Sequence, residues 1–502
     1  MLTLGQQKID TLTLILLGVL IAALAILSVV EPAMLPWSFL ALAGAVLLLC
    51  WAVKWEITLW AWFWVLSYGL LDWPEWRIEI TGFFNMTVPR FVFLAAVAGF
   101  ALHFLTHKRR IHYDRSVLWV MLALTIYCAI SATATGWLAQ TKAAQSAPYF
   151  RFLGSMLFPF IIFFLIYNTT RSEDQIRKAL ILVSVFGWYA LYIGYLQYVA
   201  IMGAPEARTL IWPSYINDPA YGIHFDRARG PFGSASQQAI LLIFLFYTTL
   251  YLLQKVRGPY RAALAVQAVL IPPAIFFTGM RSAYLAFGLC GVVWCLSAAR
   301  RRFGRTKLTA ALVLAAIVAA VFWQNLTQTR RQTGGLAQRG PVEARIVLLG
   351  QTWQIVKEHP LAGVGFGHFV DAQYRLQRDP SGLGSLSAGL LVEHNLFLSM
   401  LAETGVLGLL GTIAIFVLLF RQSVLLYRKL PPTALGWLDR GFVTLFWVVL
   451  INYVTDAMFR DTYSDVFANG LFWSFAGLMV GFNRLLEPHP LDLPFLSKTP
   501  EA

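Results

Sequence analysis

Charge is scarce in this chain. Only 13% of its 502 residues are Asp, Glu, Lys or Arg, and 58% are hydrophobic, whereas soluble domains carry about a quarter charged residues. A water-soluble fold of this length could not hide so much apolar surface, so a soluble protein is excluded. Cysteine is scarce too. Cys50, Cys128, Cys290 and Cys295 all lie inside apolar runs, without metal-ligand spacing, so they read as core packing and imply no disulfide. There is no Asp-x-Asp pair for a metal-bound sugar nucleotide, no His/Cys/carboxylate cluster at metal spacing and no carboxylate pair suited to glycoside hydrolysis. Acidic residues are few in the middles of the apolar runs, although Glu403 and Asp456 lie toward the ends of two, and proton-driven transporters need such groups at membrane depth. Repeats and low-complexity tracts are missing as well.

What the chain has is apolar length. With 37 Phe, 18 Trp and 19 Tyr it is rich in the aromatics that gather at membrane interfaces, and many apolar runs reach about 17–25 residues, enough to cross the hydrocarbon core. Fourteen spans are expected, at 11–30, 35–53, 57–71, 90–106, 117–134, 152–168, 178–200, 237–254, 262–279, 281–297, 307–323, 395–420, 441–458 and 466–482. The fold class is therefore an all-α polytopic membrane protein with about fourteen transmembrane helices and one large periplasmic loop containing short helices. The run from Thr11 to Val30 is long for a cleavable signal and reads as the first span. Pro272-Pro273 is expected to kink the ninth.

The net charge of +14 could mean nucleic acid, anionic lipid or an anionic substrate, and placement discriminates. Lys108, Arg109, Arg110 and Arg115 share one connection; Arg171, Arg177 and Lys178 another; Lys255, Arg257 and Arg261 a third. Arg300, Arg301, Arg302, Arg305 and Lys307 fill a fourth, and Arg421, Arg428, Lys429 and Arg440 a fifth. All five fall on the side of both termini, which the positive-inside rule makes the cytoplasm. The opposite side receives two long segments, 201–236 and 324–394, the second with helical apolar spacing from Val342 to Glu358. These retain Arg208, Arg227, Arg229, Arg330, Arg331, Arg339, Arg345, Lys357, Arg375 and Arg378. Long loops escape the rule; alternatively the cations await an anionic ligand on that face, and no nucleic acid is expected.

Four segments could carry chemistry. Arg227-Ala228-Arg229-Gly230-Pro231-Phe232-Gly233 places two guanidinium forks before a span, either to match phosphate oxygens or to snorkel to headgroups. Arg281, in Thr278-Gly279-Met280-Arg281, is the only charge between Arg261 and Arg300, and a lone arginine at membrane depth is a functional hypothesis. His394-Asn395 runs straight into an apolar span. A histidine there can take a proton from an attacking hydroxyl, or be structural, and Asn395 can cap the helix. The segment from His359 to Phe369 holds Gly363, Gly365 and Gly367, but no strand precedes it and no Lys-Ser/Thr follows, so it reads as a tight turn near a lipid surface and not a nucleotide loop.

In chain order, Arg227–Gly233, Thr278–Ala283, His359–Phe369 and His394–Gly411, the four segments resemble the superfamily of O-antigen ligases and O-antigen polymerases, bacterial inner-membrane glycosyltransferases. The most specific part is His394-Asn395, nine residues, Gly405, two residues, Gly408. The resemblance covers roughly 220–420, and the chain divides into N-terminal spans 1–200, a catalytic region 201–420 that includes loop 324–394, and C-terminal spans and tail 421–502. It implies metal-independent, inverting transfer at the periplasmic face of the inner membrane, from a glycan on undecaprenyl diphosphate, without a cofactor. His394 would activate the acceptor hydroxyl, Arg281 and Arg227 would hold the diphosphate, and Arg229, Arg345 and Asn395 would contact diphosphate or glycan; Arg229 could instead be the family arginine. Gly408 is followed by Leu409-Leu410 where many ligases have Trp, which favours a polymerase acting on a second lipid-linked glycan. A ligase using lipid A-core is the alternative, a lipid-linked oligosaccharide transporter comes third, and membrane lipids and polysaccharide-assembly proteins are the expected neighbours.

Overall fold

The computed structural model describes residues 57–72, 78–80, 84–107, 111–112, 116–140, 147–223, 225–299, 340–378, 395–432 and 436–486. The expected spans at 11–30, 35–53 and 307–323 lie outside them, as does His394. Among the described residues, apart from a hairpin of two three-residue strands, β1 (Ile78–Ile80) and β2 (Phe84–Met86), the regular structure is helical. In chain order come α1 (Ile57–Leu70), α2 (Val88–His107), α3 (Val117–Thr135), α4 (Pro148–Thr169), α5 (Asp174–Ile201), α6 (Ala235–Lys255), α7 (Pro259–Phe277) and α8 (Arg281–Ala299). They are followed by α9 (Gly340–Glu358), α10 (Phe369–Arg378), α11 (Leu396–Lys429), α12 (Arg440–Phe459) and α13 (Val466–Leu485). Every expected span inside the described residues is a helix. Eight of them, α3 to α7 and α11 to α13, are long and apolar enough to cross a membrane; the apolar helices Ile57–Leu70, Val88–Phe104 and Arg281–Ser297 are shorter. The helix expected from Val342 to Glu358 is α9, and α7 runs on through Pro272 and Pro273.

Helices that all face lipid gain little from hydrophobic association, so close backbone packing sorts them. The most apolar window of α13 is 94% buried against 28% for α3 and α7, which makes α13 the axis and the other two the rim. Glycines let it in: a Cβ at Gly477 would stand 2.7 Å from the Phe163 carbonyl of α4, and one at Gly481 2.7 Å from Thr170 Oγ1. Aromatic rings fill the rest, with Trp473 edge-on to Phe160 and Phe163.

Three of the basic connections assigned to one side meet at one end. The Glu173 carboxylate accepts the N–H groups of Trp437 and Leu438, and Lys255 Nζ lies 2.7 Å from Asp439 Oδ2. The opposite end collects the start of α4, the α5–α6 and α7–α8 connections, the start of α11 and the α12–α13 turn.

Candidate functional site

The α5–α6 connection is shaped by Gln197 near the end of α5. Its Oε1 accepts the N–H groups of Arg229 and Gly230, both at 2.8 Å, and its Nε2 donates to the Gly230 carbonyl at 2.9 Å. Gly230 has φ +59°, and a Cβ there would fall 2.1 Å from Gln238 Oε1, so only glycine fits. The two arginines of this turn are in different situations. Arg229 is fully buried, donates to the carbonyls of Tyr221 (3.0 Å) and Ile216, and stacks 3.8 Å from the Phe225 ring centre. Burial brings it down to about 10, which still leaves it charged at neutral pH. Arg227 is also buried, yet among the described residues its Nη1 reaches only the soft Met280 sulfur at 3.3 Å, Asp226 is 3.6 Å from Nε, and that Nε–H makes no hydrogen bond. A guanidinium has five donors to satisfy; Arg229 spends two of its N–H groups on backbone carbonyls, while Arg227 keeps capacity for another acceptor.

The N–H of Ala228 donates to the Phe277 carbonyl at 3.1 Å, joining this turn to the end of α7. Gly279 (φ +60°) then reverses the chain so that Arg281 opens α8, where the helix N-terminus adds positive potential. The charges of Arg227 and Arg281 both act on Tyr284, one turn into α8. Arg345 of α9 is half-buried, its guanidinium 5.6 Å from the Phe459 ring centre, and burial followed by the positive charge of Arg281 lowers its pKa. Like charges gathered in a partly desolvated place are unfavourable unless an anion joins them. Beside Met280 a crevice with room for about one water-sized group is lined by Ser236, Ser282, Asn452 and Asp456.

Asn395 caps α11: its Oδ1 accepts from the N–H groups of Phe397 (2.9 Å) and Leu398 (3.1 Å), and its Nδ2 donates to the Met458 carbonyl at 3.1 Å. Asn395 and Arg345 thus both meet the end of α12, at Met458 and Phe459. Among the sequence-derived residues, Arg227, Arg281 and Arg345 share one end of the bundle, Arg229 locks the adjacent loop, and Asn395 ties the start of α11 to α12.

The glycine-rich segment and the first glycine of the 394–408 motif explain each other. Gly405 has φ +65° and breaks α11, and a Cβ there would lie 2.1 Å from the Leu361 carbonyl oxygen. The 360–367 loop docks on that break: Val364 and Gly365 donate to the carbonyls of Ala402 and Glu403 at 3.0 and 2.8 Å, and Val406 donates to Pro360 at 3.0 Å. Gly405→Ala should therefore lower stability by about 1–3 kcal/mol from the positive-φ, extended-ψ backbone alone, a region open almost only to glycine, with further loss from the clash. Thermal unfolding in detergent and protease sensitivity of the 360–367 loop measure this; an unchanged melting point would contradict the docking.

Sequence reasoning did not find the ionic hub under this loop. A stretch of π-helix, Arg151–Leu157, begins with Arg151, and such segments re-aim side chains. Arg151 binds both Glu403 carboxylate oxygens, Ser399 Oγ at 2.8 Å and Asp461 Oδ2 at 2.7 Å, and Glu403 Oε2 also accepts the Gly367 N–H at 3.0 Å. One guanidinium thus faces two buried carboxylates; burial pushes the Asp461 carboxyl up to about 6, against the pull of Arg151. Beside it Arg460 bridges Asp456 (2.6 Å) and Asp465. The available signal was charge inside or bordering apolar runs, which says nothing about partners. His368, buried between Asp371 (2.8 Å from Nδ1) and the Gly136 carbonyl (2.6 Å from Nε2), fastens α10 to the end of α3. Among the described residues no group of three or more His, Cys, Asp or Glu is placed to hold a metal ion.

Fold and site together define a multi-pass helical membrane protein with cationic side chains gathered at one end of its bundle. Residues 266–413 match the family model described as O-Antigen ligase, so this part of the chain carries a domain of the O-antigen ligase and polymerase superfamily, a family of membrane glycosyltransferase-like enzymes. The match holds Arg281, Arg345, Asn395, Gly405 and Gly408 and begins after Arg227 and Arg229. No curated protein matches the chain.

Proposed function

We propose that this protein transfers a glycan from undecaprenyl diphosphate to an acceptor hydroxyl, without a metal ion or cofactor, at the periplasmic face of the bacterial inner membrane. The acceptor is a second lipid-linked glycan, which makes the protein a polysaccharide polymerase. The observation that carries the reading is the gathering of Arg227, Arg281 and Arg345, in which the charge of Arg281 acts on Arg345 and Arg227 keeps unspent donors. That arrangement suits a diphosphate, whose oxygens accept paired guanidinium hydrogen bonds.

In this reaction the acceptor oxygen attacks the anomeric carbon from the side opposite the diphosphate. The new C–O bond forms as the bond to the diphosphate oxygen breaks, inverting the centre. The hydroxyl proton passes to His394, the residue before Asn395 in the chain, acting as general base. Undecaprenyl diphosphate leaves with its growing negative charge held by Arg227, Arg281 and Arg345. Stabilising that charge more in the transition state than in the bound donor is what accelerates the step. Arg229 keeps the Arg227 turn in shape and Asn395 keeps the start of α11 against α12.

The test is a gel assay of purified protein with undecaprenyl-diphosphate oligosaccharide and EDTA, with and without lipid A-core. A ladder of repeats from the lipid-linked glycan alone is expected. A product only with lipid A-core would make the acceptor lipid A-core and the protein a ligase. Activity abolished by EDTA and restored by a divalent cation would overturn the metal-free mechanism, and no product in any tube would overturn glycan transfer.

A further inference from the structure

The 202–223 segment combines two properties that do not belong together in water. Its outward side chains are large and apolar: Leu210 is 61% exposed, Trp212 68% and Ile223 58%. Many of its carbonyls, in contrast, are taken up by protein donors. Tyr192 Oη donates to the Leu210 carbonyl at 2.8 Å and Tyr189 Oη to the Trp212 carbonyl at 3.2 Å. Asn217 Nδ2 donates to Arg208 at 2.9 Å, and Arg229 serves both Ile216 and Tyr221. The 3-10 turns Pro205–Leu210 and Ser214–Asn217 occupy others internally, with Ala207 donating to Ala204 and Asp218 to Tyr215. A loop in water can leave carbonyls to solvent, whereas backbone in contact with lipid must find its partners inside the protein.

Place agrees with composition. α5 spans 28 residues, about 42 Å at 1.5 Å per residue, so it overshoots a hydrocarbon core of about 30 Å. Its outward stripe of Val185, Tyr192 and Val199, spaced by seven residues, faces away from the bundle. The 202–223 segment folds back along that stripe, because the hydroxyl that holds Leu210 belongs to Tyr192 on it. The apolar surface of Leu210 and Trp212 is thereby continuous with the exposed stripe of α5, and Trp and Tyr are the side chains that favour a membrane boundary. Exposed Glu206 and Asp218 can reach headgroups from there.

We infer that the 202–223 segment is a membrane-interface element, seated with Leu210, Trp212 and Ile223 among the phospholipid acyl chains just below the headgroups. It holds the Arg227 turn at headgroup depth, because Arg229, two residues from Arg227, closes the same segment. Arg229 then serves as the internal donor that lets this backbone leave water.

Site-directed spin labelling of the full chain in phospholipid nanodiscs tests this independently of any glycan transfer. Labels are placed at Leu210→Cys and Trp212→Cys, with Val185→Cys as the lipid reference and Asp218→Cys as the polar one, and the signal of the unsubstituted protein is subtracted. All four side chains are exposed, so melting points should match the unsubstituted protein. Collisions with oxygen are expected to exceed those with a water-soluble nickel chelate severalfold at 210 and 212, as at 185, with the ratio reversed at 218. Chelate collisions dominating at 210 and 212 would put the segment in water and overturn the inference. Labels screened from both reagents would mean that protein covers it, which also overturns it.

Discussion

Arg281→Lys is expected to cost about 10²-fold or more in the rate of glycan transfer, the scale seen when one donor to a developing negative charge is removed, while the protein still folds. The substitution keeps a positive charge at the start of α8. What it loses is the planar fork that can hold two oxygens of a departing diphosphate. Binding of the intact donor depends less on that fork than the charge-separated transition state does, so kcat should fall more than KM rises. Initial rates with the lipid-linked oligosaccharide, beside a melting curve, measure both effects. Near-normal turnover in Arg281→Lys would end the diphosphate role proposed for this residue.

The second large effect concerns stability. Arg151→Ala should destabilise the bundle by about 3–5 kcal/mol, the usual consequence of deleting one member of a buried ionic group. The substitution leaves Glu403 and Asp461 buried without their common cation. It also frees Ser399 and loosens the first part of α11, between Asn395 and the break at Gly405. Removing one of the stranded charges as well should recover part of the loss, so Arg151→Ala with Glu403→Gln should be less destabilised than the sum of the single variants. Thermal unfolding in detergent reads all of these. An unchanged melting point in Arg151→Ala would show that the hub does not hold the helices.

The difference between these predictions follows the difference between what was and was not legible in the residues. Arg281 stood out because it is the only charge in a long apolar stretch, a local property. Arg151 borders an apolar run in the same way, but its meaning comes from Glu403, 252 positions away. Likewise the 394–408 motif was recognisable, whereas the reason for Gly405 was not. Its positive φ answers to a loop some forty residues earlier, and neither the break nor the dock can be seen from spacing. Boundaries failed in an instructive way at α11, expected to end near 420 and observed to continue to Lys429. Hydropathy falls at Arg421 and Gln422, but both are sound helix formers, and the helix stops only before Pro431.

By itself the sequence determined that this is a helical membrane protein, where its described spans lie, and that an O-antigen-ligase signature occupies its second half. These follow from the length of apolar runs and the order of a few residues, information that sits within windows of about twenty positions. The tertiary structure alone decided that Arg229 is spent on backbone while Arg227 is not, that Arg345 comes within the field of Arg281, and that the glycine-rich loop plugs the break in α11. The physical reason is common to all three. Whether a buried polar group is satisfied depends on which partners the fold brings to it, and those partners come from distant parts of the chain.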